Sequence, residues 1–369
     1  MKNILFVGNA NSFLIFQLAK QLLKEKPDWN IDILSDQELV LLDAPFRKVF
    51  AIDNAHPSAK RKFIKAFFVA SEMKKHLHNM ETQYDVVHIL YVSSAYRFIW
   101  EELKKISDKI ILTIFGGDYY KSTFLMKLLI AKMAKEANII SATNPATLEN
   151  FSEKFKVPCE KRRLVRFGLN ILDEIDSIVQ EDIEKWREKK NISSTCIAIA
   201  CGYNGSTNQN LLEVIKSLVA SKEKLHQKVV LCFQLTEKNS HVQSIIDAIH
   251  ESGFDFLIFS ERMTDRELAL YRSAMNLMIQ VQSTDSFSGA MQEHLYAGSL
   301  VITGNWLPYS VLDDEHVEYI KVSEIEEIGE EIANNLKKTV DLNKNKRAIA
   351  KFSKWDLTLQ TWINLYELS

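Results

Sequence analysis

The chain has 369 residues, of which 46% are apolar and 25% charged, and its net charge is −2. This length favours two domains over one core, and the composition is that of a globular protein rather than a disordered or repetitive one. No apolar run approaches the roughly 20 residues that span a bilayer, so we expect no membrane-spanning helix. The cysteines lack a C-x-x-C pair, which favours reduced, buried thiols over a zinc site: Cys159, Cys196, Cys201 and Cys232.

The small net charge hides an asymmetry between the two halves of the chain. Residues 1–168 carry 26 Lys+Arg and 18 Asp+Glu, a balance of +8, whereas residues 169–369 carry 20 and 30, a balance of −10. Three basic clusters mix lysine or arginine with large apolar residues, a combination that can lie on an anionic membrane surface: residues 59–68, 127–135 and 160–166. The alternative is a solvated helix face over an apolar one. We expect the two halves to face different partners, with no nucleic acid among them.

The first half alternates strand-like and helix-like segments. Its first apolar run indicates a strand and turn rather than a signal peptide. Strands are predicted in "NILFVGNA", "WNIDILS", "FRKVFAI", "YDVVHILYV", "KIILTIFGG" and "ANIISATN". Helices are predicted in "SFLIFQLAKQLLKEK", over residues 58–80, in "AYRFIWEELKKI" and over residues 122–136. Strands separated by helices in this way form a parallel sheet.

The second half repeats the alternation after an acidic, helical connector at residues 169–190. Strands are predicted in "CIAIACGYN", "KVVLCFQLT", "DFLIFSERM", "MNLMIQVQS" and "SLVITG". Helices are predicted in "NQNLLEVIKSLVAS", "SHVQSIIDAIHESG", "TDRELALYRSA" (with Thr264 or Asp265 as N-cap) and "SGAMQEHLYAG". We therefore predict two doubly wound α/β domains, residues 1–168 and 191–350. A final helix within residues 351–369 is expected to pack back on the first domain.

The segment "STDSFSGAMQEHLYAG" holds two acids, Asp285 and Glu293, with seven residues between them and a predicted helix start. In doubly wound sheets, ligands bind outside the carboxyl ends of the strands. Unpaired N–H groups at a helix start there attract phosphate, and the small residues Ser286, Ser288 and Gly289 allow it to approach the backbone. Glu293 is then placed to accept hydrogen bonds from a vicinal diol such as ribose. The alternative is an N-cap aspartate and a solvated glutamate on an ordinary helix.

The longer segment "FSERMTDRELALYRSAMNLMIQVQSTDSFSGAMQEHLYAGSLVITG" resembles the donor-binding core of GT-B glycosyltransferases, above all the family-4-like group. It is also similar to bacterial transferases that act on lipid-linked sugars, including the type that adds 4-acetamidofucose to a lipid intermediate. The turns "FGGDYY" and "GYNGSTNQN" resemble turns of the same group. The resemblance implies the GT-B fold, an α/β fold of two Rossmann-like domains that face each other across a cleft.

For the second half, the resemblance implies a nucleotide-sugar site. Glu293 matches the glutamate that grips the nucleotide ribose, and Asp285 takes the place of an acid, usually Glu, that contacts the donor sugar. The helix start would cradle the diphosphate, a turn before a helix would touch the nucleobase, and the domain's first loop would face the phosphates. These positions are Ser288, Gly289 and Ala290 at the helix start, Glu261, Arg262 and Met263 in the turn, and Asn204, Gly205 and Ser206 in the loop.

The chain departs from the group in the positive charge that neutralises the leaving diphosphate. The group carries Arg and Lys near the first loop of the second domain, but no basic residue lies between Cys201 and Leu211 here. The candidate replacements are Arg262, Lys238 and Arg166, and the sequence does not choose among them.

In the first half, the candidate residues follow predicted strands. The turn "GNANS" has a single glycine, Gly8, and so lacks a dinucleotide-binding pattern. With Asn9 and Asn11, it is predicted to line the acceptor side or to be an ordinary strand–helix turn. Asp118 is expected to be exposed by the paired glycines before it and to act as an acceptor-side acid or base, with a helix N-cap as the alternative. His88, in mid-strand, is expected to be a hydrogen-bonded core histidine.

Taken together, these features predict transfer of a sugar from a nucleoside diphosphate sugar to a lipid-linked saccharide in bacterial surface polysaccharide or glycoconjugate synthesis. The resemblance implies retention of configuration and no obligatory cofactor or metal; Asp285 and Asp118 are the catalytic candidates, and Asp118 is the expected base if the reaction inverts. The expected location is the cytoplasm, at the inner face of the membrane. Two alternatives stay open: a GT-B-fold nucleotide-sugar epimerase and a non-catalytic, glycosyltransferase-like partner subunit.

Overall fold

The computed structural model describes residues 1–40, 43–52, 65–336, 338 and 340–368. The chain divides into two compact units. The first unit combines Met1–Phe167 with Thr358–Ser369, and the second is Gly168–Leu357. The predicted connector, residues 169–190, is therefore part of the second unit.

One parallel sheet forms the centre of the first unit. Its strands in the described residues are β1 (Lys2–Gly8), β2 (Trp29–Ser35), β3 (Val49–Ala51), β4 (Val86–Leu90), β5 (Ile110–Ile114), β6 (Ile139–Ala142) and β7 (Arg162–Leu164). Their order in the sheet is β3-β2-β1-β4-β5-β6-β7, and every pair is parallel. Strands β2 and β3 are therefore added on one side of β1, whereas β4 and the later strands are added on its other side, and the strand order reverses between β1 and β4. The six predicted strands are confirmed, and β7 is an addition that lies in the basic stretch around residue 163.

The helices of the first unit are those predicted, with two additions, at residues 117–120 and 145–155. They are α1 (Phe13–Glu25), α2 (Lys65–His78), α3 (Trp100–Ile106), α4 (Gly117–Tyr120), α5 (Phe124–Glu136) and α6 (Pro145–Phe155). The helix predicted over residues 58–80 corresponds to α2, and its first part, residues 58–64, lies outside the described residues. Helix α6 was not predicted, although Asn144 accepts from two N–H groups at its start and proline occupies its first position.

A second parallel sheet forms the centre of the second unit. Its strands in the described residues are β8 (Ile197–Cys201), β9 (Val229–Gln234), β10 (Asp255–Phe259), β11 (Leu277–Gln280), β12 (Leu300–Gly304) and β13 (Ile320–Val322). Their order is β10-β9-β8-β11-β12-β13, so the direction of travel reverses between β8 and β11. Alternate residues of β8 enter two different apolar cores: Ala198 and Ala200 on one face, Ile199 and Cys201 on the other. Burial on both faces explains why these strands read as continuous apolar runs.

The helices of the second unit surround this sheet. They are α7 (Ile171–Asp176), α8 (Gln180–Lys189), α9 (Leu211–Ala220), α10 (Ser240–Glu251), α11 (Asp265–Ala274), α12 (Gly289–Ala297), α13 (Ser310–Asp314), α14 (Ile328–Asn335) and α15 (Leu342–Ser353). Thr264 is the N-cap of α11, since its Oγ1 accepts from the N–H of Glu267 while Glu267 Oε2 accepts from the N–H of Thr264. Helices α13, α14 and α15 and strand β13 have no counterpart among the predicted elements.

The last helix, α16 (Trp355–Glu367), was predicted, and its residues from 358 onward group with the first unit. Tyr366 on this helix bonds His88 Nδ1 at 2.7 Å, and Thr113 Oγ1 bonds His88 Nε2 at 2.6 Å. Burial lowers the pKa of His88 to about 3, so the ring is neutral. His88 is thus a hydrogen-bonded core histidine. No helix of the described residues is long and apolar enough to span a membrane.

Candidate functional site

The loops that follow β8 and β11 meet where the strand order of the second sheet reverses. Asn210 donates from Nδ2 to the carbonyl oxygen of Val281 at 2.7 Å, and Ser283 donates from Oγ to Asn210 Oδ1 at 3.0 Å. Asn208 donates from Nδ2 to the carbonyl oxygen of Thr284 at 2.9 Å. Because ligands of doubly wound sheets bind outside this edge at the reversal point, the two joined loops mark the candidate site.

Asp285 lies in the second of these loops, and its carboxylate holds the loop together. Tyr309 donates its hydroxyl to Asp285 Oδ2 at 2.5 Å, and the backbone N–H groups of Ser286 and Ser288 donate to the same carboxylate. Burial raises the pKa of Asp285, while these three hydrogen bonds act in the opposite direction. Part of the accepting capacity of Asp285 is therefore used within its own loop, and its contact with a donor sugar stays a prediction.

Helix α12 begins at Gly289, with Ser288 as its N-cap, since Ser288 Oγ accepts from the N–H of Met291. The N–H of Ser288 interacts with the carboxylate of Asp285, and a contact of Ser288 with a phosphate stays a prediction. The N–H groups of Gly289 and Ala290 have no hydrogen-bond partner in the described part of the chain. A helix start leaves such groups open and carries partial positive charge, so these two remain candidates for an anion.

Glu293 lies one turn into α12 and pairs with Arg272 at the end of α11. Arg272 donates from Nε to Glu293 Oε2 at 2.9 Å, and the two side chains are only 4% and 12% exposed. A buried charge of this kind is tolerated because it is paired and hydrogen-bonded. No protein partner to Glu293 Oε1 is found within the described residues. The predicted alternative, a solvated glutamate on an ordinary helix, is therefore wrong.

Arg272 is absent from the three basic candidates of the sequence, which lie elsewhere. Lys238 follows β9 and is exposed, Arg262 follows β10 and is exposed, and Arg166 belongs to the first unit. The sequence holds one weak indication of the role of Arg272, namely its position on the helix. It stands three residues after buried Ala269, on the apolar face of α11, where a charge requires a buried partner.

The loop after β8 contains the predicted phosphate-facing residues. The N–H of Gly205 donates to Glu237 Oε2 at 3.1 Å, and the N–H of Ser206 donates to Asn204 Oδ1 at 3.0 Å. A Cβ on Gly205 would lie 2.6 Å from Val242 Cγ2, so packing alone requires glycine there. These contacts use the loop's N–H groups internally, and a role for the three residues in phosphate binding stays a prediction.

The three residues of the turn after β10 differ in their exposure to solvent. Glu261 and Arg262 are exposed, whereas Met263 is half-buried and packs against the core of the second unit. The sulfur of Met263 lies 3.9 Å from Nε2 of Gln234, at the end of β9. Gln234 in turn accepts a hydrogen bond from Arg272 at 3.0 Å. The side chain of Gln234 therefore contacts both this turn and the arginine that pairs with Glu293. Nucleobase contact by the turn stays a prediction.

In the first unit, the residues after β1 have structural roles. A Cβ on Gly8 would lie 2.6 Å from the carbonyl oxygen of Leu90, so the close approach of β1 to β4 requires glycine. Asn11 donates to the carbonyl oxygen of Glu38 at 2.6 Å and accepts from the N–H of Val40 at 2.8 Å. Asn9 is exposed and accepts from the N–H of Asn11. Acceptor binding by Gly8, Asn9 and Asn11 has no contact here to support it and stays a prediction.

Asp118 is buried, so the expectation that paired glycines expose it is wrong. Its Oδ1 accepts from the N–H groups of Gly116 and Tyr119 at 2.9 and 3.1 Å, and its Oδ2 accepts from the N–H of Val92 at 2.8 Å. Burial raises the pKa of Asp118 to about 6, against the effect of these hydrogen bonds. The carboxylate therefore joins the loops after β4 and β5 and faces backbone rather than solvent.

Tyr91, directly after β4, is not among the residues predicted from the sequence. Its φ is +69°, a conformation that is rare for a bulky side chain, and the ring is half-exposed. Burial and the charges of Asp118 and Asp36 raise the pKa of its hydroxyl. Only the observed backbone identifies it, because a tyrosine at the end of a strand carries no sequence signal of strain. Such strain is concentrated at functional sites.

A groove of about 750 Å³ lies at the opposite edge of the second sheet. Its lining includes Arg187 of α8 and Asn276, the residue before β11. This edge holds the amino ends of the strands, where doubly wound sheets do not bind their substrates. No group of three or more His, Cys, Asp or Glu side chains in the described residues could hold a metal ion.

Residues 3–144 match a family model described as "Glycosyl transferase 4-like". A comparison with curated proteins finds no match. The match supports the glycosyltransferase resemblance but not the narrower resemblance to 4-acetamidofucose transferases, which stays a prediction.

Several solved structures share the fold over the whole chain. A glycosyltransferase from Rickettsia africae has 16% identity and a TM-score of 0.75, covering 99% of this chain and 98% of that one. HepE of Anabaena, in complex with UDP and glucose, has 14% identity and a TM-score of 0.71, with 100% of both chains covered. Sucrose-phosphate synthase from Thermosynechococcus elongatus has 15% identity and a TM-score of 0.74, covering 99% and 98%. The α/β fold class of GT-B glycosyltransferases is thereby confirmed.

Proposed function

We propose that this chain is a glycosyltransferase that moves a sugar from a nucleoside diphosphate sugar to a saccharide acceptor. The observation that carries the proposal is Glu293, a nearly buried carboxylate held by Arg272 through one oxygen, at the ligand-binding edge of a doubly wound sheet. A carboxylate held in this way can accept hydrogen bonds from the two hydroxyls of a ribose. The fold and the match of residues 3–144 to a glycosyltransferase family model support the same function.

In the proposed reaction, the bond between the anomeric carbon and a diphosphate oxygen breaks, and its electron pair leaves with the diphosphate. The oxygen of an acceptor hydroxyl bonds to the anomeric carbon, and the hydroxyl proton passes to the departing phosphate oxygen. The open N–H groups of Gly289 and Ala290 would stabilise the charge that develops on the diphosphate. Asp285 would contact the donor sugar with the accepting capacity that its loop leaves free.

Retention of configuration is part of this proposal. Inversion needs a base that takes the acceptor proton on the side opposite the leaving group. Asp118 is the candidate base predicted from the sequence, and its burial among backbone N–H groups speaks against that role. A proton transfer to the leaving group needs no such residue, so the surroundings of Asp118 favour retention.

A uridine diphosphate sugar is the donor to test first. HepE of Anabaena binds UDP and UDP-glucose in its solved structures, and an α,α-trehalose-phosphate synthase from Burkholderia xenovorans that shares the fold is named as UDP-forming. These are properties of those proteins, and the low identity carries only the fold to this chain. The proposed sugar and linkage are therefore left open.

The proposed acceptor is a lipid-linked saccharide, met at an anionic membrane surface. Helix α5 begins with four exposed apolar residues, and residues 119–135 contain four lysines and no acid. The exposed residues are Phe124, Leu125, Met126 and Leu128. Apolar side chains that enter a bilayer beside lysines that meet anionic headgroups are the pattern of a membrane-surface helix. Within the described residues, the other two predicted clusters each contain one exposed apolar residue, Phe67 at 60% and Leu164 at 40%, whereas α5 begins with a group of four.

The proposal is tested by thermal denaturation with UDP, GDP, dTDP, ADP and CMP, on the wild type and on Glu293→Ala. A ligand at about 100 times its dissociation constant stabilises the folded state by about 2.7 kcal/mol, which corresponds to a rise in Tm of about 5–10 °C. We expect one diphosphate to give this rise in the wild type and not in Glu293→Ala. Glu223→Ala, which changes an exposed glutamate of the same unit, is the matched control.

The two alternatives give different outcomes. A nucleotide-sugar epimerase would bind the diphosphate but convert its sugar without any acceptor, which chromatography of the nucleotide sugar detects. A non-catalytic partner would show no stabilisation by any nucleotide, and this result would refute the proposed transferase.

A further inference from the structure

Arg272 lies at the centre of a buried polar group that reaches Glu293. The residue is 3% exposed, and three side chains accept its hydrogen bonds. Nε donates to Glu293 Oε2 at 2.9 Å, and Nη1 contacts Gln234 Oε1 at 3.0 Å and His294 Nε2 at 3.1 Å. The guanidinium carbon also lies 5.3 Å from the ring centre of Tyr271. Hydrogen bonds to three side chains and the contact with the Tyr271 ring therefore hold the guanidinium of Arg272 in one position.

The contact with Arg272 determines the tautomer of His294. A guanidinium only donates hydrogen bonds, so His294 Nε2 must accept and carry no proton. The proton is then on Nδ1, which lies 3.0 Å from Ser299 Oγ. Ser299 Oγ can accept it, because the hydroxyl donates in turn to the carbonyl oxygen of Met275 at 3.1 Å. Burial and the charge of Arg272 lower the pKa of His294, in agreement with a neutral ring.

The hydrogen bonds run outward from Arg272 in two branches, one to Glu293 and one through His294 and Ser299 to the carbonyl oxygen of Met275. Ser299 is anchored at Met275 O, His294 at Ser299, and Arg272 at His294 and Gln234. Glu293 ends the first branch, and it is the only member with an oxygen that no described residue uses. The planar guanidinium places one Nη2–H parallel to Nε–H, beside that carboxylate. No described residue accepts from Nη2.

We infer that Arg272 is the positioning residue of the proposed donor site, held by neutral His294 so that Glu293 Oε1 points to a ribose diol. The inference rests on the proposed function and adds to it the residues that orient its central carboxylate. Carboxylates that must meet two hydroxyls at once need a fixed orientation, because a misplaced group loses much of the binding energy. Lysine at position 272 keeps the charge but lacks the Nε–H that fixes this orientation.

The test compares UDP with 2′,3′-dideoxy-UDP, which lacks both ribose hydroxyls, by isothermal titration calorimetry. Should another nucleoside diphosphate stabilise the wild type most, its ribose and dideoxy forms replace this pair. We expect the wild type to bind the ribose form about 10- to 100-fold more tightly, as hydrogen bonds to a charged group do. In Arg272→Lys this preference falls below about threefold, while affinity for the dideoxy form changes little. Arg266→Lys is the control, since Arg266 is on the same helix and pairs with partly exposed Asp182.

A pair of variants at His294 supplies a second measurement if Arg272→Lys does not fold, as judged by circular dichroism. Glutamine places an amide oxygen near the position of Nε2 and should keep the diol preference, whereas asparagine is too short to reach Arg272 and should lose it. A preference that is unchanged in Arg272→Lys and His294→Asn, or equal losses for both ligands, overturns the inference alone. A wild type that binds no nucleoside diphosphate overturns the proposed function, and the inference falls with it.

Discussion

Helix α5 allows a sharp test of the proposed membrane surface. Phe124 and Leu125, in its first turn, are 78% and 67% exposed, and no described residue covers them. Lys121 and Lys132 are exposed on the same segment. We predict that the double variant Phe124→Ser/Leu125→Ser loses binding to anionic vesicles without losing stability, because both side chains are already in water in the folded state.

The size of the effect follows from the exposed area. Complete burial of a phenylalanine or leucine side chain contributes about 1.5–3 kcal/mol. The exposed fractions of the two side chains add up to roughly one and a half complete side chains. Transfer of this exposed surface into a bilayer therefore contributes about 2–4 kcal/mol. The double variant should therefore bind vesicles roughly 30- to 1,000-fold more weakly, at 1.4 kcal/mol for each factor of ten.

The assay is co-sedimentation with vesicles of phosphatidylcholine containing phosphatidylglycerol, compared with pure phosphatidylcholine. The wild type should prefer the anionic vesicles, and added salt should weaken binding because each lysine near the surface contributes about 1 kcal/mol of screened attraction. The matched control is Val179→Ser/Leu357→Ser, which removes two apolar side chains of similar exposure, 58% and 55%, from the second unit. Wild-type binding that ignores lipid charge, or equal binding by the α5 variant and the control, would refute the reasoning.

Three further predictions concern single side chains. Because burial raises the pKa of Asp118 to about 6, the folded state keeps a proton between about pH 4 and 6 that the unfolded state has released. The stability advantage of the wild type over Asp118→Asn in urea unfolding should therefore shrink by about 2–3 kcal/mol from pH 4 to 7, and an advantage that grows with pH would contradict this. Tyr366→Phe leaves a buried nitrogen of His88 unpaired and should cost about 1–3 kcal/mol in the same assay, whereas a loss within error would show that the bond is unimportant. Tyr309→Phe removes a hydrogen bond that opposes the raised pKa of Asp285, so the acidic limb of the transfer rate should move to higher pH, and an unchanged pH profile would separate Asp285 from the reaction.

The sequence alone is sufficient for the alternating order of strands and helices, and hence for two parallel sheets. Continuous apolar runs such as "KVVLCFQLT" and "MNLMIQVQS" become β9 and β11, because strands buried on both faces have no polar side to show. Local chemistry also determines the start of α12 at Gly289 and the cap of α11 at Thr264. Such features depend on residues within one turn of each other, so they can be predicted from the sequence. Short elements at the sheet margins, such as β13, have too few residues to give a periodic signal.

Only the tertiary structure decides which side chains meet, since that depends on how distant segments pack. Arg272 and Glu293 stand on different helices, and no local pattern indicates that one carboxylate oxygen is held while the other stays open. Paired glycines before Asp118 suggest exposure, but the loops after β4 and β5 fold over the carboxylate and surround it with N–H groups. Gly205 likewise reads as a ligand-binding glycine, and packing against Val242 is what requires it. Patterns of residues that are close in the sequence determine the helices and strands, whereas burial and pairing between distant residues determine the site.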